Sequence, residues 1–344
     1  MNLRVLLYLI YSFECTLRMY ALIQPLKSSI WRRRPEHLKR LNTYRKFSTS
    51  TDLDSTNKEP LDLQFNRNAR DPFYITTPIY YVNGFPHLGH AYTSVSADVI
   101  ARFNRNDGKD VFFLTGTDEH GQKVQQSAQA AGIPTKEFSD NMSGHFRSMS
   151  SSLGCSHDRF IRTTEDSHIK AVQALWKLLE ERGYIYLGSY DGWYSIRDEA
   201  FYAENELIDG KAPTGATVEW VQEESYFFRL SAFTQPLLDF YAANPTFIQP
   251  ATKYADIVTF VNQTGGLRDL SVSRTTFTWG VPVPGNPKHV IYVWLDALAN
   301  YLTAGGFPDI DSSLFQSHWP PTLQIVGKDI LRFHAGTASD NVTR

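Results

Sequence analysis

The segment Thr77-Pro78-Ile79-Tyr80-Tyr81-Val82-Asn83-Gly84-Phe85-Pro86-His87-Leu88-Gly89-His90 carries an apolar strand into a turn and sets two histidines at the opening of a helix. Residues Phe73 to Tyr81 are mostly aromatic or β-branched and uncharged, the composition of a buried strand, and Asn83-Gly84 and Pro86 break it. From Leu88 onward Tyr92, Val95, Val99 and Phe103 recur at spacings of three and four, which predicts a helix with one apolar face, ended by Asp107-Gly108. His87 and His90 fall on its first turn. A helix start offers unpaired N–H groups and partial positive charge, so it favours polyphosphate, and two imidazoles there add donors. Gly89 between them has no Cβ, which lets a flat ligand approach the backbone. Such a histidine pair by itself is equally compatible with plain packing.

The second strand expected from the pattern is Asp110 to Thr115, giving a β-α-β unit with parallel strands. Their carboxyl ends then share one edge, where ligands bind in open α/β sheets, so loops 82–90 and 116–121 should line one pocket. Thr135 to Ser152 and Asp166 to Arg182 read as helices covering the sheet, Gly183 to Val272 as shorter strands and turns, and Val290 to Leu298 and Leu323 to Val326 as strands that resume the sheet. No G-x-G-x-x-G and no P-loop occurs, which argues against a dinucleotide enzyme or a P-loop ATPase.

With 344 residues, 42% of them hydrophobic, the chain can bury a large core. Its net charge of -2 is unevenly spread: residues 1–50 hold ten Lys/Arg against Glu14 and Glu36, a balance of +8, and the rest is at -10. That basic, acid-poor start reads as a mitochondrial presequence, with Arg45-Lys46-Phe47-Ser48-Thr49-Ser50 resembling a matrix-processing site; its rival is a secretory signal built on Val5 to Phe13. Residues 51–70 read as a linker. No apolar run is long enough to span a membrane. Cys15 and Cys155 are the two cysteines, so no disulfide framework is expected and Cys155 reads as a small apolar filler.

The histidine segment resembles the His-Ile-Gly-His signature of class I aminoacyl-tRNA synthetases, with Leu88 in second position, and its flanks resemble the methionyl-tRNA synthetases. Four further blocks match that family in order: Phe113 to Gly121, Glu224 to Ser231, Tyr292 to Ala297 and Ile325 to Ala335. The resemblance implies an α/β fold, a Rossmann-like parallel sheet interrupted by a connective-peptide insertion, with halves at 71–182 and 273–344 and the insertion at 183–272. It implies ATP-dependent activation of methionine to methionyl-adenylate and transfer to tRNA(Met), with Mg²⁺ carried on ATP, by a monomer in the mitochondrial matrix. By the same resemblance, His87 and His90 contact the phosphates, and Gly89, Lys328 and Asp329 belong to the ATP site. Asp118 would hold the methionine α-ammonium and Arg274 would orient it, although a helix-capping acid and an ordinary surface arginine are the plain alternatives. Ile79, Tyr81, Trp294, Ala297, Tyr301, Ile330 and His334 match an apolar pocket, which suits a polarizable thioether that is a weak acceptor. Ile79, Ala297 and Ile330 would serve equally as core. His120 is a neighbour without a defined role, and His145, His157, His168, His289 and His318 read as surface or structural.

Many relatives carry zinc on Cys-x-x-Cys pairs where this chain has Ser195-Ile196-Arg197-Asp198, so no zinc is expected. The family also continues with a lysine-rich Lys-Met-Ser-Lys-Ser loop and an anticodon-binding domain, whereas this sequence reads Gly336 to Arg344; it is expected to be a truncated product or an incomplete gene model. Two other readings remain open: a non-catalytic remnant, and a nucleotidyltransferase of the same His-x-Gly-His superfamily.

Overall fold

The computed structural model describes residues 71–335 apart from 199 and 203; the presequence, the linker and 336–344 lie outside the described residues. Its central sheet is parallel. Strand β1 (Pro72–Thr76) lies beside β3 (Asp110–Asp118), with Phe73 opposite Val111 and Thr76 opposite Leu114. Strand β2 (Tyr80–Tyr81) runs on along the same side of β3, β4 (Arg159–Arg162) takes the other side, and β11 (Leu323–Gln324) borders β1. All carboxyl ends therefore face one edge.

The strand expected over 73–81 is thus interrupted. Thr76 is opposite Leu114 but Tyr80 is opposite Thr117, so Thr77, Pro78 and Ile79 face only Thr115 and Gly116. One extra residue makes a bulge, a place where a proline without an N–H is tolerated. Because side chains alternate along a strand, one inserted residue reverses the faces beyond it. Before the bulge Tyr74 belongs to the main core while Phe73 and Ile75 pack under the first helix; after it Ile79 and Tyr81 turn to the main core.

Helix α1 (Leu88–Asn106) forms as expected, but its apolar stripe points the other way. Its buried face is Ser94, Ala97, Asp98, Ala101 and Asn104, whereas Tyr92, Val99 and Phe103 are 74%, 60% and 51% exposed. Small residues let the helix lie close on Phe73, Ile75 and Phe113, and the polar ones are satisfied: Ser94 bonds Tyr80 Oη at 2.7 Å, and Asp98 accepts from Ser156 N at 2.6 Å. Helices α2 (Gln122–Ala131), α3 (Thr135–Ser152) and α4 (Asp166–Glu181) follow. Helix α4 buries Ala171, Val172, Leu175, Trp176, Leu178 and Leu179, as its periodicity requires.

The region expected to hold short strands is instead built on a long antiparallel ladder of β5 (Ile185–Ser195) and β7 (Glu219–Phe228), flanked by β6 (Ala200–Tyr202) and β8 (Leu270–Ser271). Two helices, α5 (Thr234–Ala243) and α6 (Ala251–Val261), complete it. In the segment Ser195 to Asp198, Asp198 collects hydrogen bonds from the Tyr202 hydroxyl (2.8 Å), Arg197 Nε (3.2 Å) and the Thr214 hydroxyl. Burial alone would raise the Asp198 pKa, and these bonds outweigh it and lower it.

The segment 290–298 corrects the sequence reading. Only β10 (Val290–Ile291) is extended, and it pairs antiparallel with β9 (Ser273–Arg274) outside the main sheet; α7 (Val293–Leu298) is helical. A continuous apolar run carries no period, so a buried helix and a buried strand look alike in sequence. Helices α8 (Asn300–Gly305) and α9 (Ser313–His318) lead to β11, which joins the sheet as expected, and α10 (Leu331–Ala335) closes the described chain.

Candidate active site

The site starts at the helix corner. His87 is the N-cap of α1, its Nδ1 accepting the Gly89 N–H at 3.1 Å, while the His87 N–H donates to His90 Nδ1 at 3.1 Å. The two imidazoles form a reciprocal capping box. With both Nδ1 atoms accepting, the neutral rings carry their protons on Nε2, so each presents a donor to a ligand. The rings lie 3.8 Å apart, and His90 rests against Tyr80 (4.8 Å) and Phe146 (5.1 Å). Burial, then the nearby charge of His87, pushes the His90 pKa down to about 4. Gly89 also serves this arrangement, since a Cβ there would stand 2.9 Å from His87 Cε1.

Helices α7, α8 and α10 together build an aromatic wall. The Trp294 indole stacks on Phe333 at 3.7 Å and meets His334 edge-on at 6.3 Å. His334 Nδ1 donates to the Ile330 carbonyl (2.9 Å), so its Nε2 accepts the Tyr301 hydroxyl (2.9 Å). Burial holds the His334 pKa at about 4, against the opposing backbone bond, and raises that of Tyr301. Ile79 and Tyr81, turned by the bulge, pack on the same cluster as Trp294, and Ala297 is buried on α7. Ile330 ends the short turn Lys328–Ile330 beyond β11, with Lys328 and Asp329 exposed at the sheet's carboxyl edge.

Asp118 ends β3, buried and opposite Tyr81 in the ladder. Arg274 is buried on β9, donating from Nη1 to Ser271 Oγ (2.7 Å) and the Ser273 carbonyl (2.7 Å), with its guanidinium 4.3 Å over the Tyr292 ring. It is therefore no surface arginine. Glu119 is fully buried yet well satisfied: Arg162 binds it through Nε (2.6 Å) and Nη2 (2.8 Å), and Thr117 and Thr164 donate hydroxyls.

One group escaped the sequence reading. Asp296 on α7 is fully buried, with His120 Nδ1 at 2.6 Å from one oxygen and His168 Nε2 at 2.7 Å from the other. The signal was a lone acid inside the apolar run Tyr292 to Leu298, since a buried charge needs partners. Of the unassigned histidines, His168, His289 and His318 are buried, and His145 is exposed. Cys155 is half-buried, and burial raises its thiol pKa. Among the described residues no group of three or more His, Cys, Asp or Glu gathers as metal ligands, and no helix is long and apolar enough to cross a membrane.

A parallel α/β sheet with a helix N-terminus capped by histidines at its carboxyl edge is an arrangement that suits binding of a phosphate-bearing ligand. The chain belongs to the family described as tRNA synthetases class I (M), whose model matches residues 73–219 and 204–337. It is 59% identical over 264 residues to a methionine–tRNA ligase of Rickettsia bellii, covering 76% of this chain and 51% of that one. It is 54% identical over 272 residues to a methionine–tRNA ligase of Mesorhizobium japonicum, covering 78% and 52%. Among solved structures, the Mycobacterium tuberculosis methionyl-tRNA synthetase bound by methionyl-adenylate superposes with a TM-score of 0.74 at 54% identity, covering 77% of this chain and 53% of that one. The chain thus spans about half the length of the relatives it matches.

Proposed function

We propose that this chain carries the amino-acid-activating site of a methionine–tRNA ligase, in which methionine attacks the α-phosphate of ATP and the methionyl group then passes to tRNA(Met). The cluster of Trp294, Tyr301 and His334, packed on the same core as Ile79 and Tyr81 just before the His87/His90 cap, is the observation that supports this reading best. It gains weight from the 54% identity to a synthetase whose structure contains methionyl-adenylate.

In this reading the Nε2–H groups of His87 and His90 donate to the phosphates as charge builds there. Preorganised donors of that kind are worth about 2.7–4 kcal/mol each. His90, neutral above about pH 4, acts as a dipolar donor rather than as a cation. Gly89, Lys328 and Asp329 would border the nucleotide, with Mg²⁺ arriving on its phosphates. Asp118 would take the α-ammonium, Arg274 would orient the amino-acid end, and Ile79, Tyr81, Ala297 and Ile330 would line the thioether pocket with the aromatic wall. The basic first fifty residues support import into the mitochondrial matrix.

Methionine-dependent ATP–pyrophosphate exchange on the purified chain tests the activity, with leucine, valine and homocysteine as comparators and His90→Ala as control. Exchange selective for methionine and lost in the control is expected. A folded sample that gives none would sink the reading. Homocysteine should compete hardest, because one methylene is worth only about 1–3 kcal/mol in such a pocket. Residues 1–50 fused to a fluorescent protein should direct it to mitochondria.

A further inference from the structure

Asp296 does more than bridge two helices. A carboxylate only accepts hydrogen bonds, and its two oxygens face nitrogens of two imidazoles, so both nitrogens carry protons. Burial would raise the Asp296 pKa, yet the neighbouring His120 and the bonds from His120 and His168 pull it to about 2. His168 is itself anchored, with Nδ1 3.2 Å from Thr303 Oγ1. For neutral His120 the consequence is a defined tautomer: the proton sits on Nδ1, and Nε2 keeps a lone pair. Among the described residues no group is hydrogen-bonded to that Nε2.

The position of the ring matters as much as its tautomer. His120 is buried two residues beyond Asp118, at the carboxyl end of β3. The next residue, Gly121, comes so near the Tyr81 hydroxyl that a Cβ there would lie 3.0 Å from it. Asp296 lies on the helix that carries Trp294 and Ala297. His120 Nε2 is therefore an unused acceptor among the residues that would hold the amino-acid end of the substrate. An α-ammonium brings three N–H donors, and each one desolvated without an acceptor is costly.

We propose that His120 is a second acceptor for the α-ammonium of the bound amino acid, and that Asp296, braced by His168, is the positioning residue that turns its Nε2 lone pair to the substrate. The inference rests on the reading that the site takes methionine. It assigns recognition of the amino group to a pair, Asp118 and His120, contributed by one strand end.

The test is nitrogen NMR of the ¹⁵N-histidine-labelled protein with methionine and with its des-amino analogue, alongside calorimetric titration of His120→Phe. His120 in the free protein should show Nε2 unprotonated, and that resonance should move with methionine but not with the analogue. His120→Phe keeps a ring and removes the acceptor; it should weaken methionine about tenfold, the loss of one charge-assisted hydrogen bond, and leave the analogue unchanged. Asp296→Asn should mix the two His120 tautomers and weaken methionine while leaving its des-amino analogue unchanged, a selectivity that a merely structural bridge would not produce. If the protein binds methionine selectively while Nε2 does not respond, or while His120→Phe binds methionine as tightly as the parent, the proposal is wrong and the methionine site stands. If the parent chain has no preference for methionine, the reading beneath it fails and takes the proposal with it. Should His120→Phe not fold, the resonance in the parent protein still decides.

Discussion

At the helix corner, His87 and His90 are held by hydrogen bonds to backbone groups two and three residues away, whereas His334 and His120 in the deep wall are held by side chains 33 and 176 residues distant. At the corner His87 is exposed and His90 half-buried, whereas His334 and His120 are buried. The difference separates two kinds of constraint. A cap is satisfied locally and costs the fold little when altered, while a buried imidazole depends on a partner that the whole tertiary structure delivers. Substitutions in the wall should act on stability as well as on methionine binding, and those at the corner mainly on activity.

The largest effect should come from Asp296→Ala, which strips two buried imidazoles of their shared anion. Breaking such a cluster costs about 3–5 kcal/mol, read as a fall in the unfolding midpoint by calorimetry. A loss under about 1 kcal/mol would mean that the cluster contributes no more than an exposed pair. Tyr301→Phe should cost about 1–3 kcal/mol, because it preserves volume but leaves buried His334 Nε2 without its donor.

The pH dependence sharpens the contrast. Unfolded, His334 titrates near 6.5; folded, it titrates near 4. Above pH 6.5 neither state takes a proton there, and between 6.5 and about 4 only the unfolded chain does. Stability should therefore fall as pH drops through that window, with His90 adding in the same direction. Denaturant titrations of His334→Gln should show a shallower fall there; an unchanged slope would remove His334 from the account.

At the corner, Gly89→Ala should change stability by less than about 1 kcal/mol, since alanine favours the helix. Its Cβ displaces the His87 ring, and pyrophosphate exchange should drop by on the order of a hundredfold, as for an ångström of misplacement near reacting atoms. The smallest effect is expected on the outward stripe of α1: Val99→Ser should stay within about 0.5 kcal/mol, the range of ordinary surface changes. A larger loss would show that the stripe is covered in solution.

Much of this is legible in the sequence. The first strand, the turn and the helix start at the histidines were readable because their determinants are local, an uncharged apolar run and Asn83-Gly84, although the bulge that splits the run and the histidine cap were not. The ordered blocks led to the aromatic wall, and Trp294, Tyr301 and His334 do stand together. The face of α1 was not legible, because periodicity states which residues share a side and not which side the sheet covers. Nor was the helical state of 293–298, since an apolar run without a period fits either state.

By itself, then, the sequence determined the family, the parallel sheet edge and the helix start at the histidines, all of which depend on residues near one another along the chain or on blocks in a set order. Only the tertiary structure decided which way Ile79 and Tyr81 point, because one residue in a bulge reverses a strand's faces. It alone decided that Asp296 meets His120 and His168, since a lone acid in an apolar run announces that it needs partners but not which ones.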